Sequence, residues 1–205
     1  MILGGGGHAK VVLDTLRCMS YGVLGYLSLL ETESDGFDIK YLGNDEAIVN
    51  YKPSTVLLVN GVGSSGIPDK RTDVFTRFKK LGYHFLTVIH PSAVVASDVE
   101  LGEGCQVMAG SVLQPGVYCG ENVIINTRAG VDHDCRIGSH AHIAVGVTLS
   151  GNVRVGCLAH IGTASSVIQD VSVGKRSVVA AGAAVIRNVL AGETVAGIPA
   201  RRILK

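Results

Sequence analysis

One histidine in the chain is followed directly by an acidic residue, in the segment Asp132-His133-Asp134. A carboxylate next to an imidazole fixes the tautomer of the ring and raises its basicity, which suits general-base chemistry. Such a base can take the proton of an amine or hydroxyl that attacks a thioester. The tetrahedral oxyanion then needs N–H donors, and glycines such as Gly151 can present backbone N–H groups. His133 and Asp134 are therefore the candidate catalytic residues.

A second candidate site is the segment Gly4–Gly7 with His8, which has the loose form G-x-G-x-x-A between a short apolar stretch and a helical pattern. Glycines there let a backbone approach a phosphate, and the N-terminus of the helix offers free N–H groups and a positive dipole. A glycine- and serine-rich segment at 61–66 follows a later strand and is expected at the same crevice. The motif alone favours a nucleotide-sized ligand and a ligand-free turn about equally, and it does not indicate NAD.

The elements that position His133 form a repeat of six residues over 95–185. Fifteen of the sixteen aliphatic positions are Val, Leu or Ile. They are Val95, Leu101, Val107, Leu113, Cys119, Ile125, Val131, Ile137, Ile143, Leu149, Val155, Ile161, Val167, Val173, Val179 and Val185. A period of six is neither that of a helix nor that of a strand, so it predicts a solenoid whose stacked coils share one apolar core.

The repeat also predicts how the histidines are arranged. His133 is at the third place of its hexad and should face outward from the coil. His142 follows it by nine residues, half of an eighteen-residue coil, so the two should lie on opposite sides of one chain. They can share a site only between subunits of a cyclic oligomer. His142 and His160 are eighteen residues apart and should stack, whereas His140 and His160 are interpreted as surface or interface residues.

Residues 1–90 lack the six-residue repeat and alternate between strand and helix patterns. Helices are predicted from His8 to Leu16 and from Asp69 to Leu81, with a shorter one near 45–50. Strands are predicted at 1–3, 21–27, 54–60 and 84–89. This alternation indicates a small parallel α/β domain, Rossmann-like in its glycine loop, over 1–90, followed by the solenoid domain over 91–205.

Composition excludes several functional classes. The net charge of +1 gives no electrostatic reason to expect nucleic acid binding or attraction to an anionic membrane. We expect no membrane-spanning segment and no signal peptide, because no run of eighteen apolar residues or basic leader is present. The five cysteines form no CxxC pair and are interpreted as reduced packing residues of a cytoplasmic protein.

The hexads resemble those of the hexapeptide-repeat acyltransferases, whose fold is a left-handed parallel β-helix. Four stretches of the sequence match one branch of this family more closely. They are GGGGHAKVV at the start, His90-Pro91-Ser92-Ala93 at the junction, Asn126-Thr127 with His133-Asp134, and Val195–Arg201 at the end. Together they resemble the PglD-type nucleotide-sugar acetyltransferases and the related NeuD-type sialic acid O-acetyltransferases. This resemblance implies a homotrimer with sites between subunits, a nucleotide sugar in each N-terminal domain, and acetyl-CoA between adjacent β-helices.

The resemblance also implies roles for individual residues. His133 matches the catalytic base, Asp134 its acidic partner, and Asn126 the asparagine near the reacting sugar. Residues Gly6, Gly7, His8 and Gly63 match contacts to the nucleotide sugar. The expected contacts to acetyl-CoA are His142, Gly151, Thr163 and Ala181, the last two by spacing. No metal is expected, because the zinc carbonic anhydrases of this fold use two histidines five residues apart, a spacing absent here.

One stretch departs from the family pattern. Members that bind a UDP-sugar tend to carry two acidic residues after the second strand, where this chain has Ser28-Leu29. Its acids Glu31, Glu33 and Asp35 come a few residues later. UDP is still favoured over dTDP, but this departure leaves the nucleotide open.

The expected activity is acetyl-CoA-dependent N-acetylation of the 4-amino group of a nucleotide-linked 4-amino-4,6-dideoxy sugar, for bacterial surface glycan biosynthesis. O-acetylation of a sialic acid is the alternative within the enzyme class, because one base serves both acceptors. A non-catalytic module that binds sugar nucleotides is the alternative from another class, against which stand the intact His–Asp pair and glycine loop.

Overall fold

In a computed structural model, which describes residues 1–31 and 37–203, an α/β unit is followed by a parallel β-helix, as predicted. The first unit has a four-stranded parallel sheet in which Ile2–Leu3 lies between Tyr26–Leu27 and Leu57–Asn60, and His84–Phe85 pairs with the outer edge of Leu57–Asn60. Its elements are β1 (Ile2–Leu3), α1 (Gly7–Cys18), β2 (Tyr26–Leu27), a 3₁₀ helix (Asp45–Asn50), β3 (Leu57–Asn60), α2 (Asp69–Lys80) and β4 (His84–Phe85). Glu33 and Asp35 lie outside the described residues.

The helix predictions are confirmed, but three strand predictions were too long. The strand expected over 54–60 is observed as β3, which begins only at Leu57. The strand expected over 21–27 is reduced to β2, because Gly25 adopts a φ of +148° just before it. The strand expected over 84–89 is two strands in different sheets. β4 pairs with β3, whereas Val88–Ile89 pairs with Gln106–Val107 of the solenoid. The chain therefore passes from one sheet to the other across Leu86 and Thr87.

The solenoid has three parallel sheets, and strands that are eighteen residues apart pair in register, as Ile124 does with His142. Face 1 contains Val88–Ile89, Gln106–Val107, Ile124–Ile125, His142–Ile143, His160–Ile161, Val178–Val179 and Thr194–Ala196, with the antiparallel Arg201–Arg202 at its end. Face 2 contains Val94–Val95, Val112–Leu113, Gly130–Val131, Thr148–Leu149, Ser166–Val167 and Ala184–Val185. Face 3 contains Glu100–Leu101, Tyr118–Cys119, Arg136–Ile137, Arg154–Val155 and Ser172–Val173.

Each two-residue strand points one side chain outward and its hexad aliphatic inward. The inward residues form one core that runs along the coils, and Val107, Ile125, Ile143 and Ile161 are all at most 1 % exposed. Such stacking buries apolar surface that no single hexad could bury alone. The corners between faces have left-handed backbone conformations even at non-glycine residues, including Asp134 with φ 60° and Asn152 with φ 56°.

The α/β unit packs against face 1. His8 of α1 bonds to Gln106 of face 1, and Arg176 forms a two-pronged ion pair with Asp69 at the start of α2. Side chains that point outward on face 1 are therefore covered, while those of faces 2 and 3 are not covered by this unit. Among the described residues, no helix has the length and apolar character needed to cross a membrane.

Candidate active site

A cleft of about 810 Å³ lies at the carboxyl ends of β1 and β3, and we call it the glycine cleft. Residues 4–8 and 61–71 line it, so the predicted ligand residues Gly6, Gly7, His8 and Gly63 are brought together. Both α1 and α2 begin at this cleft, and neither has a side-chain cap on its N-terminus. Uncapped N–H groups and two helix dipoles at one cleft favour an anionic ligand.

Glycines leave this cleft open. A Cβ atom built on Gly6 or on Gly7 would meet no other atom within 4 Å, so it would project into empty space. A Cβ on Gly61 would instead lie 2.8 Å from the Cβ of Ala9, which makes Gly61 a packing requirement. The free volume at Gly6 and Gly7 is where a ligand can approach the backbone.

His8 is held by a defined chain of hydrogen bonds. Gln106 donates its Nε2–H to the carbonyl of Asn60 (2.8 Å), so its Oε1 accepts from His8 Nε2 (2.7 Å). His8 Nδ1 then carries a lone pair. Burial, and secondly the charge of Arg71, lowers the pKa of His8 to about 4, so the ring is neutral at physiological pH.

Arg71 is a buried cation that sequence reasoning missed. Its side chain is 1 % exposed, and its Nη1 donates to the carbonyls of Asn60 and Val62, both at 2.8 Å. Among the described residues, Nε and Nη2 have no hydrogen-bond partner and no carboxylate forms an ion pair with Arg71. Burial lowers its pKa to about 9. A single arginine within a helical pattern is expected to be exposed, so no feature of the sequence indicated its burial.

A second cavity of about 410 Å³ lies between the loop after β3 and the solenoid, and we call it the face-1 cavity. Its lining brings together four predicted site residues, which are Asn126, His142, Thr163 and Ala181. Ser64 and Ser65 line both this cavity and the glycine cleft, so the two spaces adjoin.

His142 has partners on both ring nitrogens. Its Nδ1 lies 2.8 Å from Ser64 Oγ, and its Nε2 lies 3.1 Å from Asn126 Nδ2. Burial, and then the positive charges that His160, His8 and Arg71 can carry, lowers the pKa of His142 to about 3. His142 is therefore a neutral hydrogen-bonding group.

His160 stacks on His142, as the eighteen-residue spacing predicts, with ring centroids 5.0 Å apart at 78°. Of the two predicted alternatives, surface or interface, the second holds, although the interface is the one between the two units of the chain. His160 is 8 % exposed, lines the face-1 cavity and has no partner for Nδ1 among the described residues. The α/β unit covers this part of face 1, which the solenoid pattern alone does not show. His140 also lies at the interface between the units, where it bonds to Asn122 and packs against Phe75.

The His133–Asp134 pair has the expected geometry. His133 Nδ1 lies 2.8 Å from Asp134 Oδ2, and the backbone N–H of His133 donates to Asp132 Oδ1 (2.8 Å). The hydrogen bond to Asp134 raises the pKa of His133, with further contributions from the charges of Asp132, Asp134 and Asp170. The ring is 60 % exposed. With Nδ1–H given to the carboxylate, Nε2 carries the lone pair that a base needs.

Gly151, one coil further along, lies directly against the His133 ring. A Cβ on Gly151 would be 2.5 Å from His133 Nε2, so any side chain there would displace the imidazole. The N–H of Gly151 makes no backbone hydrogen bond to another described residue. The same corner therefore holds a base and, beside it, a buried glycine whose N–H has no backbone acceptor among the described residues.

Three groups of site residues result, at the glycine cleft, at the face-1 cavity and at the corner between faces 2 and 3. The first two adjoin. The third is separate, because His133 lies at the corner after face 2 whereas His142 lies on face 1. The prediction that His133 and His142 lie on different sides of one chain is confirmed.

One group of potential metal ligands occurs in the described parts of the chain, formed by Asp14, Cys18 and His90 within 4.8 Å of one another. The backbone N–H of Ser92 donates to His90 Nδ1 (3.0 Å), so a neutral His90 carries its proton on Nε2. In that state the ring offers no free lone pair to a metal. Asp14 and Cys18 lie in the second half of α1, whose first turn lines the glycine cleft.

Comparisons with known proteins show what the chain is similar to. The family model described as the PglD N-terminal domain matches residues 1–77. A UDP-N-acetylbacillosamine N-acetyltransferase of Bacillus subtilis (strain 168) is 36% identical over 114 residues, 53% of this chain and 50% of that protein. The aligned region therefore spans about half the length of this curated relative.

Two solved structures are similar over nearly the whole chain. PerB from Caulobacter crescentus, in complex with CoA and GDP-perosamine, is 34% identical with a TM-score of 0.91, over 99% of this chain and 96% of that one. The acetyltransferase domain of PglB from Neisseria gonorrhoeae FA1090 is 33% identical with a TM-score of 0.92, over 98% of each chain. The latter is also known in complex with acetyl coenzyme A.

Proposed function

This chain belongs to the PglD-type sugar N-acetyltransferases, and from this premise we propose that it acetylates the amino group of a nucleotide-linked 4-amino-4,6-dideoxy sugar with acetyl-CoA. The observation that carries the proposal is the His133–Asp134 pair, with Nδ1 bonded to the carboxylate and Nε2 free beside Gly151. A pair in this state is a general base and requires no metal.

The chemistry follows from the free Nε2. His133 takes a proton from the sugar amine as the nitrogen attacks the thioester carbonyl, and the N–H of Gly151 donates to the developing oxyanion. When the tetrahedral intermediate collapses, the C–S bond breaks and the thiolate of CoA takes up the proton. The products are an acetamido sugar nucleotide and free CoA, and we propose that the sugar serves surface glycan assembly.

We assign the two adjoining spaces to the two substrates. The glycine cleft, with its uncapped helix N-termini and the buried charge of Arg71, suits the diphosphate of a nucleotide sugar. The face-1 cavity, with Asn126, His142, Thr163 and Ala181, suits the acetyl-CoA arm and the reacting end of the sugar. In this division, residues 1–90 bind the nucleotide sugar and 91–205 carry the transfer chemistry.

A homotrimer would unite His133 with these spaces. The outward side chains of face 2 are small or apolar and none is charged, whereas face 3 presents Glu100, Arg136 and Arg154. The face-2 residues are Val94, Val112, Gly130, Thr148, Ser166 and Ala184. If three copies pack face 2 around an axis, the His133 corner of one subunit meets the opposite edge of face 2, beside the face-1 cavity, in the next subunit.

Complementation tests this arrangement. His133→Ala and Asn126→Ala should each be inactive alone, and co-expression should restore activity, because mixed trimers contain sites with both native residues. A mixture that stays inactive despite confirmed mixed trimers would place the whole site in one chain.

The activity itself is tested by thiol release from acetyl-CoA with UDP-, dTDP- and GDP-linked 4-amino-4,6-dideoxy sugars, a sialic acid and free amino sugars. GDP belongs in the panel because PerB was solved with GDP-perosamine, and because Ser28-Leu29 leaves the base open. Turnover of one nucleotide amino sugar that is lost in His133→Ala would establish the reaction. Turnover of sialic acid alone, or of nothing, would overturn it.

A further inference from the structure

Ser64 occupies an unusual position between the two spaces. It lines both the glycine cleft and the face-1 cavity, and it belongs to the loop that follows β3. This loop is held in place by Arg71 of α2, whose Nη1 donates to the carbonyl of Val62 (2.8 Å). Ser64 reaches across to the solenoid, where its Oγ lies 2.8 Å from His142 Nδ1.

The direction of the hydrogen bonds at Ser64 is fixed from the solenoid side. The backbone N–H of Thr127 donates to Asn126 Oδ1 (2.8 Å), so the other amide atom of Asn126 is its Nδ2–H₂ group. That group donates to His142 Nε2 (3.1 Å). A neutral imidazole has one acceptor nitrogen and one N–H, so the proton of His142 is on Nδ1.

His142 Nδ1–H therefore donates to Ser64 Oγ, and the hydroxyl hydrogen of Ser64 is left for another acceptor. This direction does not change in the physiological pH range, because the pKa of His142 is about 3. No other hydrogen bond of the Ser64 hydroxyl occurs among the described residues. Ser64 is thus set as a donor at the junction of the two spaces.

We propose that Ser64 is a specificity-determining residue that donates a hydrogen bond to an oxygen of the substrate's sugar ring or of its hydroxyl groups. This inference rests on the proposed function, in which the diphosphate lies in the glycine cleft and the amino group must reach the acetyl donor. The sugar then spans the junction, and Ser64 is on the wall that both spaces share. A site built to bond an oxygen discriminates against a ligand that lacks it.

Binding to nucleotide sugars and to the bare nucleotides separates a sugar contact from a general effect on the loop. We would measure Kd by calorimetry for the UDP-, dTDP- and GDP-linked 4-amino-4,6-dideoxy sugars, and for UDP, dTDP and GDP, with the full-length protein. For whichever sugar nucleotide the wild type binds, Ser64→Ala should raise the Kd by about 3- to 10-fold, the loss expected for one neutral hydrogen bond. It should leave affinity for the matching nucleoside diphosphate within about twofold.

Two further variants sharpen the test. Ser64→Thr keeps the hydroxyl and should restore most of the affinity, whereas Ser65→Ala, which removes the neighbouring hydroxyl, should have a smaller effect than Ser64→Ala. Equal losses for the sugar nucleotide and the bare nucleotide, or equal effects at Ser64 and Ser65, would overturn the assignment of Ser64. Failure of the wild type to bind any of the three sugar nucleotides would instead overturn the proposed function and the ligand of this site with it.

Discussion

Two histidines of the solenoid, nine residues apart, differ in exposure and in the direction of their pKa shifts. His133 is exposed beside three carboxylates, and its hydrogen bond to Asp134 raises its pKa. His142 is 5 % exposed, and burial lowers its pKa to about 3. One is an exposed imidazole whose basicity a carboxylate raises, and the other is a fixed neutral link in a hydrogen-bond chain.

The difference does not come from the repeat. His142 is the outward residue of its strand, as Thr148 and Arg136 are of theirs, and those two are exposed. His142 is buried because the α/β unit covers face 1. Position in the hexad sets the direction of a side chain, and the covering unit decides whether that side chain can titrate.

Removing the titrating histidine should have the largest effect. His133→Ala should lower kcat by at least ~10²-fold, because the amine loses its base, while the Kd of acetyl-CoA should change little. Steady-state kinetics and calorimetry with acetyl-CoA measure the two quantities. Turnover near the wild-type rate would show that His133 is not the general base, and that it differs from His142 in exposure but not in a catalytic role.

Crowding the same imidazole without removing it should have the next largest effect. Gly151→Ala places a Cβ 2.5 Å from the present position of His133 Nε2, so the ring must move, and kcat should fall about 10- to 100-fold. The N–H of residue 151 is kept, so the loss reports displacement of the base.

Gly22→Ala is the matched control, because a Cβ there meets nothing within 4 Å. It should leave kcat unchanged. An unaffected kcat in Gly151→Ala would show that the position of the His133 ring is not critical.

Asp134→Asn should shift the pH profile. The carboxylate raises the pKa of His133, and a base works only when unprotonated, so its loss should move the acidic limb of kcat/KM to lower pH. The plateau should fall roughly 10-fold, since the ring loses its orienting acceptor. Asparagine also tolerates the left-handed backbone at this corner.

Asp132→Asn serves as the comparison for this variant, because the Asp132 charge is a smaller cause of the raised pKa. Its shift should have the same direction and be smaller. A larger shift for Asp132→Asn would show that Asp134 is not the main partner of His133.

The sequence predicted the solenoid part of the site well, because the repeat has a constant length of six residues and each coil contains eighteen. Register at eighteen residues fixed the stacking of His142 on His160 and the separation of His133 from both. Adjacent positions 133 and 134 share one corner, so their hydrogen bond was also predictable. The proximity of Gly151 to His133, which are also eighteen residues apart, follows from the same register.

The α/β side was predictable only in outline. The glycine segments follow β1 and β3 in the sequence, so their meeting at one sheet edge could be expected. The role of Arg71 could not, because its partners Asn60 and Val62 lie within its own unit, where a lone arginine in a helical pattern is expected to be exposed. Those of Gln106 and Ser64 could not, because each bonds across the interface between the units, at sequence separations that no local pattern encodes. The burial of His160 escaped prediction for the same reason.

The neutral state of His142 has a consequence for stability. A histidine whose folded pKa lies below its unfolded value of about 6.5 takes up a proton on unfolding, so stability is lost as pH falls from 6.5 towards the folded pKa. For His142, with a folded pKa of about 3, this loss covers the whole range from pH 6.5 to 4. His142→Gln should remove a slope on the order of 1 kcal/mol per pH unit from the free energy of unfolding.

Denaturant unfolding at pH 7, 6 and 5 measures this slope, with the exposed His84→Gln as control. Equal slopes in wild type and His142→Gln would show that His142 titrates normally, so that covering face 1 does not set its charge.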